Sequence, residues 1–375
     1  MSYLSDDVGW LRVFNYISFR AAGAAVTALL LSFVLGPLII RRLLVMRLHQ
    51  VVREGTPDTH AGKKHTPTMG GLIVLSATLI PTLLWARLSN RYVLLAILIM
   101  LWMGLIGFLD DLLKLRQKRA GVENKGLVEG QKLLGQLVIG LALGWYVWHF
   151  PLSTLPGAST TLPFYKYILI VPASLTLAWL YVAFVTLVIA GSSNAVNMAD
   201  GLDGLAAGLC AIAAATFAVF AYVIGRIDAS TYLHIFYLRG AGELTIFCTA
   251  IVGACTGFLW FNAHPARIFM GDTGSLALGG ALGAVAVLLK SEFLLLLVGG
   301  VFVAEVVTVI LQRVTFKYRR RKHGLEYARA NRLFRRAPLH HHFEENGWAE
   351  PLVVVRFWIL GVLCALLALS TLKLR

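Results

Sequence analysis

The chain has 375 residues, 58% of them hydrophobic and 14% charged, with a formal net charge of +15. A charged fraction so far below the roughly 25% of soluble domains excludes an ordinary soluble globule and points to a lipid bilayer. The basic excess does not indicate a nucleic-acid partner, because it is spread by loop instead of massed in one domain.

Ala21–Ile40 is the first uncharged apolar run. Asp6 and Asp7 precede it and it is long for a signal-peptide core, so it is expected to persist as a spanning helix. The segment "HAGKKHTPTMGG" (60–71), with Lys63, leads into the second run, Met69–Ala86. The third, Tyr92–Leu109, ends in "DDLLKLRQK" (110–118). Asp110, Lys114 and Lys118 fall at four-residue steps on one helical stripe, which permits a plain ion pair between Asp110 and Lys114. Two adjacent carboxylates, Asp110 and Asp111, ending an uncharged helix also suit a cation shared with a phosphate.

The fourth and fifth runs are Leu133–Phe150 and Tyr167–Ala190, separated by a long loop at 150–166. "NAVNMADGLDGLA" (194–206) follows. Asn197, Asp200 and Asp203 supply oxygens there, beside Gly201 and Gly204, whose backbones can approach a ligand closely. A simple N-cap is the alternative for Asp203. The spacing is not that of a calcium-binding EF-hand loop.

Leu205–Gly225 and Leu244–Phe261 are the sixth and seventh runs, and "FNAHPARIFMGDTGS" (261–275), with Asn262, opens the eighth, Gly274–Leu289. Asp272 is placed to cap that helix, and the exposed amides of its first turn can hold an anion. Phe269 is either buried or a flat face for a planar base. The ninth run, Phe293–Leu311, contains Glu305, and the tenth, Leu352–Leu372, contains Arg356. An acid at membrane depth is a functional candidate by default, and here a buried structural pair with Arg356 is expected. Between these runs "KYRRRKHG" (317–324) reads as a topogenic or headgroup-binding patch. In "APLHHHFE" (337–344), His340, His341 and His342 suit hydrogen bonds to phosphate oxygens better than the spaced ligands of a structural zinc. Cys210, Cys248, Cys255 and Cys364 all lie in apolar runs and read as small packing residues.

Most runs reach the ~17–25 residues of a spanning helix, so an all-α integral membrane protein of ten transmembrane helices is expected, as a single domain over 1–375. The loops after the first, third, fifth, seventh and ninth runs carry 23 of the 34 lysines and arginines. These loops are therefore expected in the cytoplasm, with both termini periplasmic. Every polar motif falls in one of these five loops, which predicts one active site on the cytoplasmic face. A transporter would set ionisable groups at the membrane midplane, where only Glu305 qualifies.

Together, "TPTMGG", "DD" at 110–111, "NAVNMADGLDGLA", "FNAHPARIFMGDTGS" and "PLHHHFE" resemble, in order and over nearly the whole chain, the polyprenyl-phosphate N-acetylhexosamine-1-phosphate transferases. The histidine triplet favours the branch that moves phospho-MurNAc-pentapeptide over relatives that use UDP-GlcNAc. The resemblance implies a bacterial inner-membrane enzyme of peptidoglycan synthesis that joins UDP-MurNAc-pentapeptide to undecaprenyl phosphate, giving lipid I and UMP with Mg²⁺. It also implies a homodimer among membrane lipids. By the same resemblance Asp110, Asp111 and Asp272 are the essential acids, with Asp272 the magnesium ligand. Asn197, Asp200, Asp203 and Asn262 lie on the nucleotide and diphosphate side, and Phe269 stacks on uracil. Lys63, Lys114, Lys118 and His340–His342 contact anions, with His340 and His341 counted as catalytic. A phosphate monoester has a second pKa of roughly 6 and is mostly dianionic at neutral pH, so direct attack by the lipid phosphate is expected over an aspartyl-phosphate intermediate.

Overall fold

A computed structural model describes residues 9–46, 66–119, 126–165, 169–171 and 174–373. Lys63 lies outside these residues, as does the side chain of Lys118.

The protein is mostly helical, and each of the ten apolar runs forms a helix. In chain order the runs become α1 (Ile17–Val45), α2 (Gly71–Trp85), α3 (Arg91–Arg119), α4 (Glu129–His149), α5 (Leu175–Ala199), α6 (Leu205–Ile224), then, past the short α7 (Ile227–Leu233), α8 (Leu244–Asn262) and α9 (Gly271–Leu288). The ninth run is split into α10 (Glu292–Val298) and α11 (Gly300–His323), followed by short α12 (Leu325–Ala330) and α13 (Leu339–Glu345). The tenth is α14 (Glu350–Ser370). Among the described residues seven helices have the length and apolarity of a membrane span, or eight when α10 and α11 count as one span broken by an 86° bend. The expectation of ten is met only to that extent: α2 has 15 residues, α4 is long enough but its first turns carry Glu129, Gln131, Lys132 and Gln136 and it falls short in apolarity, and a bend at Gly299 breaks the ninth run.

Helix α9 is the axis of the bundle, buried along nearly its whole length. Glycines on α9 and on its neighbours explain how three helices reach it. A Cβ on Gly71 of α2 would collide with the amide of Gly274, and one on Gly107 of α3 with the carbonyl of Asp272. On α9 itself, a Cβ on Gly279 would stand 2.6 Å from Ser193 Cα of α5. In a bilayer, where apolar contact with lipid costs nothing, such close backbone packing is what favours helix association.

At the end away from Asp272 two buried polar ties close the bundle. Arg20 of α1, 1% exposed, makes a two-pronged ion pair with Glu243 just before α8, at 2.7 and 2.5 Å, and also donates to the Trp85 carbonyl at 3.1 Å. The loop before α5 forms a small antiparallel pair, β1 (Thr160–Thr161) with β2 (Leu169–Ile170). Thr160 donates to Glu292 at 2.6 Å and Thr161 donates twice to the Lys290 carbonyl, pinning this loop over the end of α9. Cys210, Cys248 and Cys255 are free and buried, and Cys364 is free and half-buried, as packing residues would be.

Candidate active site

Asp272 stands in the first turn of α9, and the elements around it converge from distant parts of the chain. Gly271 before it has φ +73°, a left-handed conformation that favours glycine, and a Cβ there would lie 2.7 Å from Asp111 and 2.9 Å from Thr68. The "TPTMGG" loop pairs with the loop before α9: Phe269 N donates to Pro67 O, Gly70 N to Phe269 O and Gly71 N to Met270 O, at 2.8–2.9 Å.

Asp111 caps α9 from another helix. Its carboxylate accepts from the amides of Asp272 (3.3 Å) and Thr273 (3.0 Å) and from the Thr273 hydroxyl (2.7 Å). The anion expected at the start of that helix is thus a side chain of the protein itself, and Asp272 does not cap α9. About 100° around α3 from Asp111, Asp110 accepts from Leu127 N at 2.8 Å and faces two lysines. Lys114 lies 2.5 Å from Asp110 and 3.1 Å from Asp272, while Lys132 of α4 lies 2.7 and 2.8 Å from the same carboxylates. The Asp110–Lys114 pair read from the i,i+4 spacing is present, but it is shared with Asp272 instead of standing alone on the surface.

Lys132 was missed in the sequence because it sits one residue before the fourth apolar run, where a lysine reads as topogenic. Its only signal is position at a helix mouth on the same face as Lys114. Asn197 of α5 completes the ring, donating to the second oxygen of Asp272 at 3.0 Å and to Ser275 at 2.8 Å. Asp200, at the end of α5, has its carboxyl pushed up to about 8 by burial and by the negative charges of Asp272 and Asp111.

Other expected site residues brace the loops. Asp203 accepts from Ala266 N at 3.1 Å and lies 3.2 Å from His264, and its own amide donates to Glu350 at 2.8 Å. It does not cap α6, whose N-cap is Gly204 at φ +82°. Asn262 accepts from Gly204 N at 3.1 Å, which ties the two loops together, and donates to the Ile268 carbonyl at 2.8 Å within its own loop. His264 and Glu350 were not anticipated, since nothing in their spacing announces a contact. Phe269 is half-buried.

The three histidines part company. His340 is fully buried, its Nδ1 3.1 Å from Glu305 Oε1, with its Nε2 against Gly201. This corrects the expected Glu305–Arg356 pair: Arg356 instead lies 4.1 Å from the centre of the Trp348 ring. The 86° bend carries α11, and Glu305 with it, toward α13. His341 contacts Glu344 at 2.7 Å and is pushed below the ordinary histidine value, chiefly by burial. His342 accepts from Arg335 N at 3.2 Å.

Asp110, Asp111 and Asp272 each bring one oxygen within 4.8 Å of the others. Oδ2 of Asp110 is buried and faces both ammonium groups, Lys114 at 2.5 Å and Lys132 at 2.7 Å. An all-oxygen set of three clustered carboxylates fits a hard divalent cation such as Mg²⁺, which takes one or two carboxylates and completes its shell with phosphate and water. Two lysines beside it suit an anionic ligand.

Residues 93–290 match the family described as glycosyl transferase family 4. A phospho-N-acetylmuramoyl-pentapeptide-transferase of Gemmatimonas aurantiaca is 69% identical over 372 residues, 99% of this chain and 98% of the relative. Proteins of the same name from Desulfotalea psychrophila (48%, 97% of this chain and 96% of the relative) and Citrifermentans bemidjiense (47%, 99% and 98%) are also similar.

Proposed function

The chain belongs to the phospho-N-acetylmuramoyl-pentapeptide transferases, and from that premise we propose that it transfers phospho-MurNAc-pentapeptide from UDP-MurNAc-pentapeptide to undecaprenyl phosphate, releasing UMP and lipid I. The observation that carries this reading is the meeting of Asp110, Asp111 and Asp272, from helices far apart in sequence, with Lys114 and Lys132. Such a site neutralises two phosphorylated substrates that otherwise repel each other.

In the proposed reaction an oxygen of the lipid phosphate attacks the sugar-bearing phosphorus of the UDP-sugar. The bond from that phosphorus to the bridging oxygen breaks, and the oxygen leaves with UMP. At pH 7 about nine in ten phosphate monoesters are already dianionic, so a base gains little and Asp110 serves to orient the lipid phosphate. Asp272 and Asp110, with Asp111 behind them, would hold Mg²⁺. When bound, it supplies positive charge to the pyrophosphate oxygens. Lys114 and Lys132 bind the diphosphate, and Asn197 fixes the Asp272 carboxylate. Asp200 lies on the diphosphate side, and Phe269 offers its ring to uracil. Lys63, Lys118, His341 and His342 contact the anions, while Asp203 and Asn262 shape the nucleotide side.

The protein is a multi-pass membrane protein. Ten spans with the site in the cytoplasm, both termini periplasmic, and a homodimer complete the proposal, supported by the distribution of lysine and arginine and by the family. Purified protein in detergent, given undecaprenyl phosphate and either UDP-MurNAc-pentapeptide or UDP-GlcNAc, is expected to release UMP only with the former and only with Mg²⁺. UMP from UDP-GlcNAc alone would refute the substrate.

A further inference from the structure

Helices α4 and α5 meet along two stripes of matching step. On α4 the stripe is Lys132, Gln136, Gly140 and Gly144, and on α5 it is Val182, Thr186, Ala190 and Asn194. A Cβ on Gly140 would stand 2.8 Å from Thr186 Cα, and one on Gly144 3.0 Å from Val182 Cα, so the two backbones are in contact there. One turn nearer the site the contact changes from packing to hydrogen bonding. Asn194 Nδ2 donates to Gln136 Oε1 at 2.7 Å and to the Ala190 carbonyl at 2.8 Å, and Gln136 Nε2 donates back to Asn194 at 3.5 Å. Gln136 is 1% exposed, so its amide is out of reach of water. One turn further on, Lys132 donates to one oxygen of Asp272 at 2.8 Å and Asn197 to the other at 3.0 Å.

We propose that Gln136 and Asn194 are positioning residues: their amide pair sets the spacing of α4 and α5 so that Lys132 and Asn197 meet the two oxygens of Asp272. The amides bond to each other and to α5, and act on the carboxylate only through these neighbours. A buried amide without its partner has nothing else to bond, which makes the pair directional where the glycine contact below it can slide. Close packing alone brings the helices together, and the pair adds register. The proposal rests on the transferase reading for its meaning in the reaction, but the register itself is independent of any substrate.

The test uses full-length protein in detergent with three variants: Gln136→Leu, Gln136→Asn, and the swap Gln136→Asn with Asn194→Gln, which restores the summed side-chain length. Two measurements are made. The first is UMP release, separating kcat from KM. The second is acetylation of lysines by acetic anhydride read by mass spectrometry, with Lys114 as the reference for Lys132. Gln136→Leu is expected to lower kcat at least about fivefold with KM for both substrates within about twofold, the mark of an interaction expressed in the transition state. The ratio of Lys132 to Lys114 labelling is expected to rise at least about threefold, and the swap to recover most of both losses. Gln136→Asn shortens the side chain by one methylene and is expected to show the same trend, so it decides the matter if Gln136→Leu does not fold. Unchanged kcat and labelling in the folded single variants overturn the proposal, as does a swap no better than Gln136→Asn. A purely structural pair would lower the melting temperature and leave both ratios at the wild-type value, which also overturns it. Should the wild type release no UMP, the transferase reading fails, and the labelling arm still decides on register.

Discussion

Replacing Lys132 by Met removes one ammonium and keeps the aliphatic stem, so the packing of α4 is little disturbed. Lys132 stands 2.7 Å from Asp110 and 2.8 Å from Asp272. At an effective dielectric of ~20 each contact is worth about 6 kcal/mol of bare Coulomb attraction. Two observations reduce this. The Lys132 side chain is 23% exposed and therefore partly screened, and Lys114 still faces the same two carboxylates. With desolvation also deducted, a net effect of about 2–3 kcal/mol remains. If that stabilisation is realised on the transferring phosphates, kcat should fall about 30- to 150-fold. UMP release at saturating substrates and Mg²⁺ measures it. A Lys132→Met enzyme within threefold of wild-type kcat would refute the idea that this lysine serves the reaction and leave it a structural counter-ion.

Asp272→Asn is expected to abolish turnover while leaving the protein monodisperse, and near-normal UMP release with Mg²⁺ would show that the metal assignment is wrong. Rapid quench of the working enzyme with radiolabelled UDP-sugar should leave no phosphorylated aspartate, since the lipid phosphate attacks directly; a labelled Asp110 would overturn that. Asp200 ionises near 3.8 when unfolded and near 8 in the fold, so between these values the folded state holds the extra proton. Raising the pH from about 4 to about 8 therefore costs stability. The melting temperature in EDTA should fall over that window, and Asp200→Asn should flatten the slope; an unchanged slope would count against the buried carboxyl. Gly71→Ala drives a Cβ into the backbone of Gly274 and should cost about 1–3 kcal/mol, seen as a lowered melting temperature, whereas an unshifted transition would mean that α2 can move aside freely.

Apolar runs reported where helices form, because burying backbone in a bilayer leaves few alternatives to a helix. They did not report that the run at 293–311 turns by 86°, since a bend at Gly299 changes neither hydropathy nor length. The convergence of Asp110, Asp111 and Asp272 could be read from motifs clustered in alternate loops. What the motifs could not give is which carboxylate does what: Asp111, adjacent to Asp110 in sequence, points along α3 into the amides of α9, because successive side chains on a helix diverge by about 100°. Glu305 was recognisable as an unusual acid, but its partner depended on how α13 folds back, which no periodicity encodes. Lys132 and Gln136 carry meaning only through their step along α4 relative to α5, information that belongs to a pair of helices and to neither alone.

The bidentate pairing of Arg20 with Glu243 bears on biogenesis. The two residues are 223 positions apart, so while the ribosome is still making the intervening helices the guanidinium has entered the membrane without its counter-charge. An arginine near a helix terminus can reach back to the interface at modest cost, so the first segment can wait there and seal against α8 only when the later half arrives. Nascent chains that stop short of residue 243 would keep an unneutralised cation at the bilayer margin, a feature by which membrane quality control could tell an unfinished molecule from a mature one.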